Sequence, residues 1–141
     1  MNNSASVLTL HICPGHRKPM TPVQSLETLT GVGIKRDMHA VEDSIRQILL
    51  VEQETLVALH LQPGVVKENI TTLGIALMTL KRRQKMWIGS VLLQITRECE
   101  PCSRMEEIRP GLQELLRGRR GMLARVLQGG TINVGETIQL E

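Results

Sequence analysis

The sequence is almost without aromatic side chains: Trp87 stands alone, with no Phe and no Tyr in 141 residues. A core must therefore be assembled from Leu, Ile, Val and seven Met, and the aromatic platform on which single-stranded nucleic acids stack has nothing to be built from. Also missing is any apolar run near the 18 or so residues that cross a bilayer. The stretch MNNSASVLTLHICPG has no cationic lead, and Thr9 and His11 break its apolar part, so no secretory signal is read there. A soluble, cytoplasmic protein is expected, with no nucleic acid and no membrane among its partners. Cysteine is scarce and odd in number: Cys13, Cys99 and Cys102 favour free, reactive or ligating thiols over a disulfide framework.

What is present is ordinary in bulk. The length suits a single domain, and a chain of this size buries roughly 68–70% of its unfolded surface. Hydrophobic residues make up 41% and charged residues 22%, which argues against disorder. The formal charge of +3 permits an anionic ligand but falls short of a polybasic nucleic-acid binder.

No repeat or low-complexity tract interrupts the chain. Val7–Cys13 places Leu8, Leu10 and Ile12 on one side of an alternating pattern, which predicts a half-buried strand ended by Pro14-Gly15. A second strand is predicted at Val23–Leu29, before the turn Gly31-Val32-Gly33. An apolar run follows at Ile45–Val51, then a helix over Glu52–His60 stopped by Pro63-Gly64. Further strands are expected at Ile70–Thr72, Trp87–Thr96, Gly121–Gln128 and Thr137–Leu140. A helical stretch near Met105–Leu116 should break at Pro110-Gly111. Short strands with few helices favour a closed barrel or sandwich, with the barrel ahead.

Three segments carry candidate chemistry. In Pro63-Gly-Val-Val-Lys-Glu-Asn-Ile70, Glu68 and Asn69 set an acceptor beside an amide, able to grip a polar heterocycle or to tie down their own turn. In Cys99-Glu-Pro-Cys102 a thiol lies just before a predicted helix, where backbone N–H groups favour thiolate. Arg97 and Arg104 push the same way, whereas Glu98 and Glu100 oppose it. Cys102 is therefore the candidate nucleophile and soft-metal ligand, set against the plain alternative of a buried cysteine acting as a small hydrophobe. A zinc site would need His11, Cys13 and His16 to supply the missing ligands, since no second CxxC exists. In Gly118–Gly130, glycines flank Arg119 and Arg120, a pair suited to a phosphate or to a solvated hairpin turn.

Taken together, PGVVKENI, WIGSVLLQITRECEPC and GRRGMLARVLQGGTINVGETIQL resemble the MOSC domain, the module named after the C-terminal part of molybdenum-cofactor sulfurases. Upstream, GVGIKRDMHAVEDSIRQILLVEQETL resembles the family's acidic-His stretch and following strand, with Asp37, His39 and Arg46 at matching positions. The resemblance spans about residues 23 to 140. It implies a mainly β barrel of MOSC type with a few short peripheral helices, and a cysteine, here Cys102, that carries sulfur or ligates molybdenum. It further implies that molybdopterin is the cofactor, its phosphate on Arg119 or Arg120, Arg46 also on the cofactor, and its pterin edge near Glu68 and Asn69. A sulfur donor or an electron-transfer protein would then be the partner. Two features depart from similar sequences: Lys81–Lys85 where a glycine turn is usual, and Glu136 where Asp is usual. The sulfurases' pyridoxal-phosphate domain has no counterpart in these residues. Two rival readings stay open, a thiol-disulfide module using Cys99 and Cys102, and a non-catalytic module for a phosphate-bearing ligand.

Overall fold

The structure, a computed structural model, describes residues 4–141. Its first strand, β1 (Ala5–Ile12), falls where alternation places it, and Leu10 and Ile12 pack on the barrel core as expected, but Val7 rather than Leu8 joins them there. The cause is a bulge: pairing with β6 (Ile70–Leu73) shifts register between Val7 and Thr9, and one extra residue reverses which side chains face inward. The predicted strand Val23–Leu29 is two strands. β2 (Thr21–Val23) stays on β1, while β3 (Ser25–Leu29) leaves to join β4 (Gly33–Ile34) and β10 (Gly130–Asn133) in a separate sheet. β10 was not expected from the sequence, because Gly129-Gly130 reads as a turn.

β5 (Ile48–Glu52) is buried on both faces, which is why its sequence is a continuous apolar run. It pairs parallel with β6, a geometry that requires a crossover, supplied by α1 (Gln53–Ala58). That helix ends before Pro63-Gly64: His60 takes a left-handed φ of 56° and Leu61 N–H donates to Leu56 O at 2.8 Å. β7 (Lys85–Ile88) and β8 (Val91–Glu98) form a hairpin through Gly89-Ser90. Lys81–Lys85 makes its own turn without glycine, with Arg83 at φ 77° and its N–H donating to Ile95 O at 2.8 Å. β8 pairs with β9 (Met122–Gln128), and β9 with β5. Last, β11 (Thr137–Leu140) pairs with β7 and with β1, closing a seven-strand barrel in the order β11-β7-β8-β9-β5-β6-β1, with β2 hung on β1. At the turn before β11, Glu136 accepts a hydrogen bond from Asn133 Nδ2 at 3.1 Å.

The barrel interior is filled by Leu10, Ile48, Leu50, Ile70, Met86, Leu93, Ile95 and their neighbours, without an aromatic ring. A second apolar cluster lies outside the barrel. There α2 (Met105–Ile108) and α3 (Leu112–Leu115), separated at Pro110-Gly111 as the pattern predicts, lay Met105, Leu112 and Leu116 over Leu49, Val51 and Leu123 of β5 and β9. No helix among the described residues is long and apolar enough to cross a membrane.

Gly121 is where β9 comes closest to β5. Its φ is 142°, and a Cβ there would strike the Leu50 carbonyl oxygen and lie 2.9 Å from Val51 Cγ2. Gly118, at φ 77°, has open space around it. Gly121→Ala should therefore cost about 2–3 kcal/mol in chemical denaturation and Gly118→Ala only about 1 kcal/mol. Equal costs would mean that the close approach is relieved by a small shift of the strands.

His11 is buried in β1, and that burial lowers its pKa against the opposing pull of Glu68. A depressed folded pKa means that the unfolded chain takes up the proton first as pH falls. The stability this confers is present above roughly pH 6.5 and declines below it. The melting temperature should fall between pH 7 and pH 5, with a shallower slope in His11→Gln. Parallel slopes for parent and variant would assign the decline to other groups.

Candidate functional site

A buried carboxylate organises one end of the barrel. Asp37 Oδ2 accepts the Cys13 N–H at 2.7 Å and Asn69 Nδ2 at 2.8 Å, while Oδ1 accepts the His39 N–H at 2.8 Å and faces His39 Nδ1 at 3.0 Å. Burial alone would push the carboxyl up, but the hydrogen bonds from the His39 ring, Cys13 and the His39 backbone outweigh it and hold the pKa below its ordinary value. With Asp37 ionised, His39 Nδ1 is the donor of this contact, which leaves Nε2 outside it.

Beside this knot is a cleft of about 120 Å³, lined by His39, Arg46, Leu49, Lys67, Asn69, Cys99, Arg120 and Leu123. β9 positions Leu123, and the turn leading into β9 positions Arg120. Arg120 is buried, and its Nη2 donates to Val66 O at 2.5 Å. Its Nη1 is buried with no partner. Burial pushes the Arg120 pKa down, opposed by Cys99, Glu68 and Cys102 nearby; a guanidinium keeps its charge even so. The cleft thus offers a cation with an unused N–H, two more cations in Arg46 and Lys67, and a thiol.

Of the residues singled out from sequence, Arg46, Asn69 and Arg120 line this cleft. Asn69 has no amide proton to spare: Nδ2 serves both His11 O at 3.2 Å and Asp37, while Oδ1 accepts from Leu49 N–H at 3.0 Å. Glu68 is fully buried and pins its own turn, with Oε2 accepting Gly64 N–H at 2.9 Å and Thr71 Oγ1 at 2.8 Å. Arg119 turns away, its Nε donating to Leu115 O at 2.8 Å. Gly118–Gly121 is a turn from helix to strand, not a hairpin.

Cys102 is exposed and does not line the cleft; Cys99, 6% exposed, does. The helix after Cys102 is only four residues long and starts at Met105, so it supplies little macrodipole. Cys99 is placed by the ladder, which runs one residue past β8: its N–H donates to Gly121 O at 2.9 Å. The register shift between Ile95 and Arg97 redirects the alternation that leads to Cys99, and nothing in the sequence marks it. His11, Cys13 and His16 do not assemble a zinc site, and among the described residues no three His, Cys, Asp or Glu side chains are placed to hold a metal.

Several solved structures share this architecture. The YuaD protein of Bacillus subtilis matches with a TM-score of 0.82 at 19% identity, covering 96% of this chain and 94% of its own. YiiM from Geobacillus stearothermophilus matches at 0.80 and 20% identity, covering 97% and 75%, and YiiM from Escherichia coli at 0.73 and 16%, covering 96% and 69%. At these identities the likeness is one of fold. No curated protein sequence matches the chain. The MOSC domain profile matches residues 35–139, which takes in Asp37, His39 and Asn69, every residue of the cleft, the strands from β5 to β10 and most of β11, and the chain therefore belongs to the MOSC domain family.

Proposed function

We propose that this MOSC domain binds the molybdenum cofactor at the cleft, with Cys99 as the sulfur ligand and Arg120 as the principal anion contact. The observation that carries this reading is the unpartnered Nη1 of Arg120, buried in a cleft that also holds a thiol. An orphaned buried donor is costly, and an anionic ligand relieves that cost. The residues fit the chemistry of the cofactor: thiolate sulfur suits molybdenum, and guanidinium and ammonium groups suit its oxo and phosphate oxygens. The size fits one end only, because a site of about 120 Å³ is well below the roughly 300–1,000 Å³ that encloses a small molecule.

When bound, the cofactor supplies two-electron and oxygen- or sulfur-atom chemistry at its metal. The chain's own contributions are binding and proton control. Arg120 neutralises negative charge at the cleft floor, while Arg46 and Lys67 do so nearer the opening. Cys99, shielded by Leu49 and Leu123, keeps its sulfur away from bulk water. His39, steadied by Asp37, accepts or returns a proton at Nε2 on the cleft wall. The exposure of Cys102 favours a second reading, in which that thiol collects sulfur from a donor protein as a persulfide. This keeps the chemical role first given to Cys102 and separates it from ligation.

Molybdenum and pterin content, measured on protein purified from a cofactor-competent host, distinguishes these readings. Cys99→Ser should retain less than about a tenth of the parent's molybdenum, Arg120→Lys should lower it about tenfold at moderate ionic strength, and Cys102→Ser should leave it unchanged. Loss in Cys102→Ser with retention in Cys99→Ser would move the ligand to Cys102. Retention in all three variants, each folded by its melting curve, would remove the cleft from consideration.

A further inference from the structure

The outer face of β9 carries a second opening. Leu123 reaches the cleft, and Arg125, two residues on, emerges from the same face of the strand. Around Arg125 is a hollow of about 240 Å³, lined by Arg82, Arg83, Gln94 and Thr96 with Ile45 at its rim. Ile45 borders this hollow and Arg46 the cleft, so consecutive residues divide the two. No carboxylate lines it, and among the described residues none of its three arginines forms an ion pair.

The arginines are held in place without being neutralised. Gln94 lies opposite Arg125 in the β8–β9 ladder, and its Oε1 accepts from both Arg125 Nε at 3.1 Å and Nη2 at 2.9 Å. Its Nε2 in turn donates to Arg83 O at 3.4 Å. A neutral amide thus fixes the guanidinium plane, leaves its charge intact, and ties it to the turn that bears Arg82 and Arg83. That turn keeps Arg83 at a left-handed φ of 77°, held by its bond to Ile95. A solvated cationic loop needs neither the strained residue nor the amide brace. Multiple converging guanidinium groups match the several oxygens of a phosphoryl group.

We propose that Arg82, Arg83 and Arg125 form a phosphoryl subsite for the far end of the ligand whose reactive end occupies the cleft. The assignment of a shared ligand rests on the function proposed above. It is supported by size, since the cleft alone is too small for a whole small molecule and the adjoining hollow brings the space to the lower end of the usual range. Thr96 Oγ1, bonded to Ile45 O at 2.5 Å, holds the dividing segment against β8.

Pyrophosphate titrated calorimetrically at low ionic strength tests the subsite without any cofactor. The parent should bind it, Arg125→Ala and the double variant Arg82→Ala/Arg83→Ala should each weaken binding about tenfold, and Gln94→Ala by a few fold through misorientation of Arg125. Arg46→Ala, in the cleft, should weaken it less than Arg125→Ala does. A parent that does not bind, or binding insensitive to Arg82, Arg83 and Arg125, overturns the subsite. Binding lost in Arg46→Ala and kept in Arg125→Ala places the anion in the cleft and also overturns it. Molybdenum retention is scored in the same variants. Loss in Arg125→Ala, with the melting temperature unchanged, supports a ligand spanning both openings. Full retention despite weakened pyrophosphate binding rejects that span while leaving the cleft assignment standing.

Discussion

The arrangement at the cleft depends on one buried negative charge. Asp37 is removed from water, and such a charge is tolerable only where donors replace the lost hydration. Its donors come from the end of β1, from His39 on its own loop and from Asn69 at the start of β6; Asn69 then passes the tie to β5 through Leu49 N–H. Three segments distant in sequence are thereby fixed at one point. Asp37 and Asn69 are thus engaged in holding the chain, and the cleft beside them is lined by Arg120, Arg46, Lys67, His39 and Cys99.

This arrangement follows from how β5 is packed. Ile48 and Leu50 face the barrel interior, whereas Leu49 and Val51 face the helical cover, so one strand belongs to both apolar clusters. The cleft opens where the outer cluster thins out toward the Asp37 knot. A polar group at that seam has protein on one side and access on the other. That is the environment in which a guanidinium can be largely desolvated and still meet a ligand.

Much of this was legible in the sequence, and what was not has definite physical causes. Apolar runs, glycine and proline punctuation and the family resemblance located the barrel, the broken α2–α3 pair and the strands from β5 onward other than β10. Bulges were not legible: they leave composition unchanged while exchanging the faces of a strand, and they put Val7 in place of Leu8 and preceded Cys99. β10 was hidden because its glycine is read as a turn signal when it is the first residue of a strand. For the candidate site, the sequence could not separate neighbours of like chemistry in either pair. Cys102 beside its helix and Arg119 beside Arg120 have the same chemistry as their neighbours, yet only Cys99 and Arg120 are turned toward the cleft. Burial decides between such neighbours, and burial depends on the whole chain.

The closure of the barrel has a consequence for how the chain comes into being. Among the described residues β1 meets β11 through a short seam, Ala5 with Ile138 and Ser6 with Thr137, extended by the two backbone bonds of Val7 to Gly135 and Glu136, and the two sides of it lie far apart in the sequence. During synthesis on a ribosome β1 emerges long before its partner on that side. Until β11 follows, the part of β1 that β2 leaves uncovered carries an open edge, the kind of surface on which nascent chains join to one another or are met by chaperones. The short seam therefore marks the moment at which this edge ceases to be a template for its neighbours.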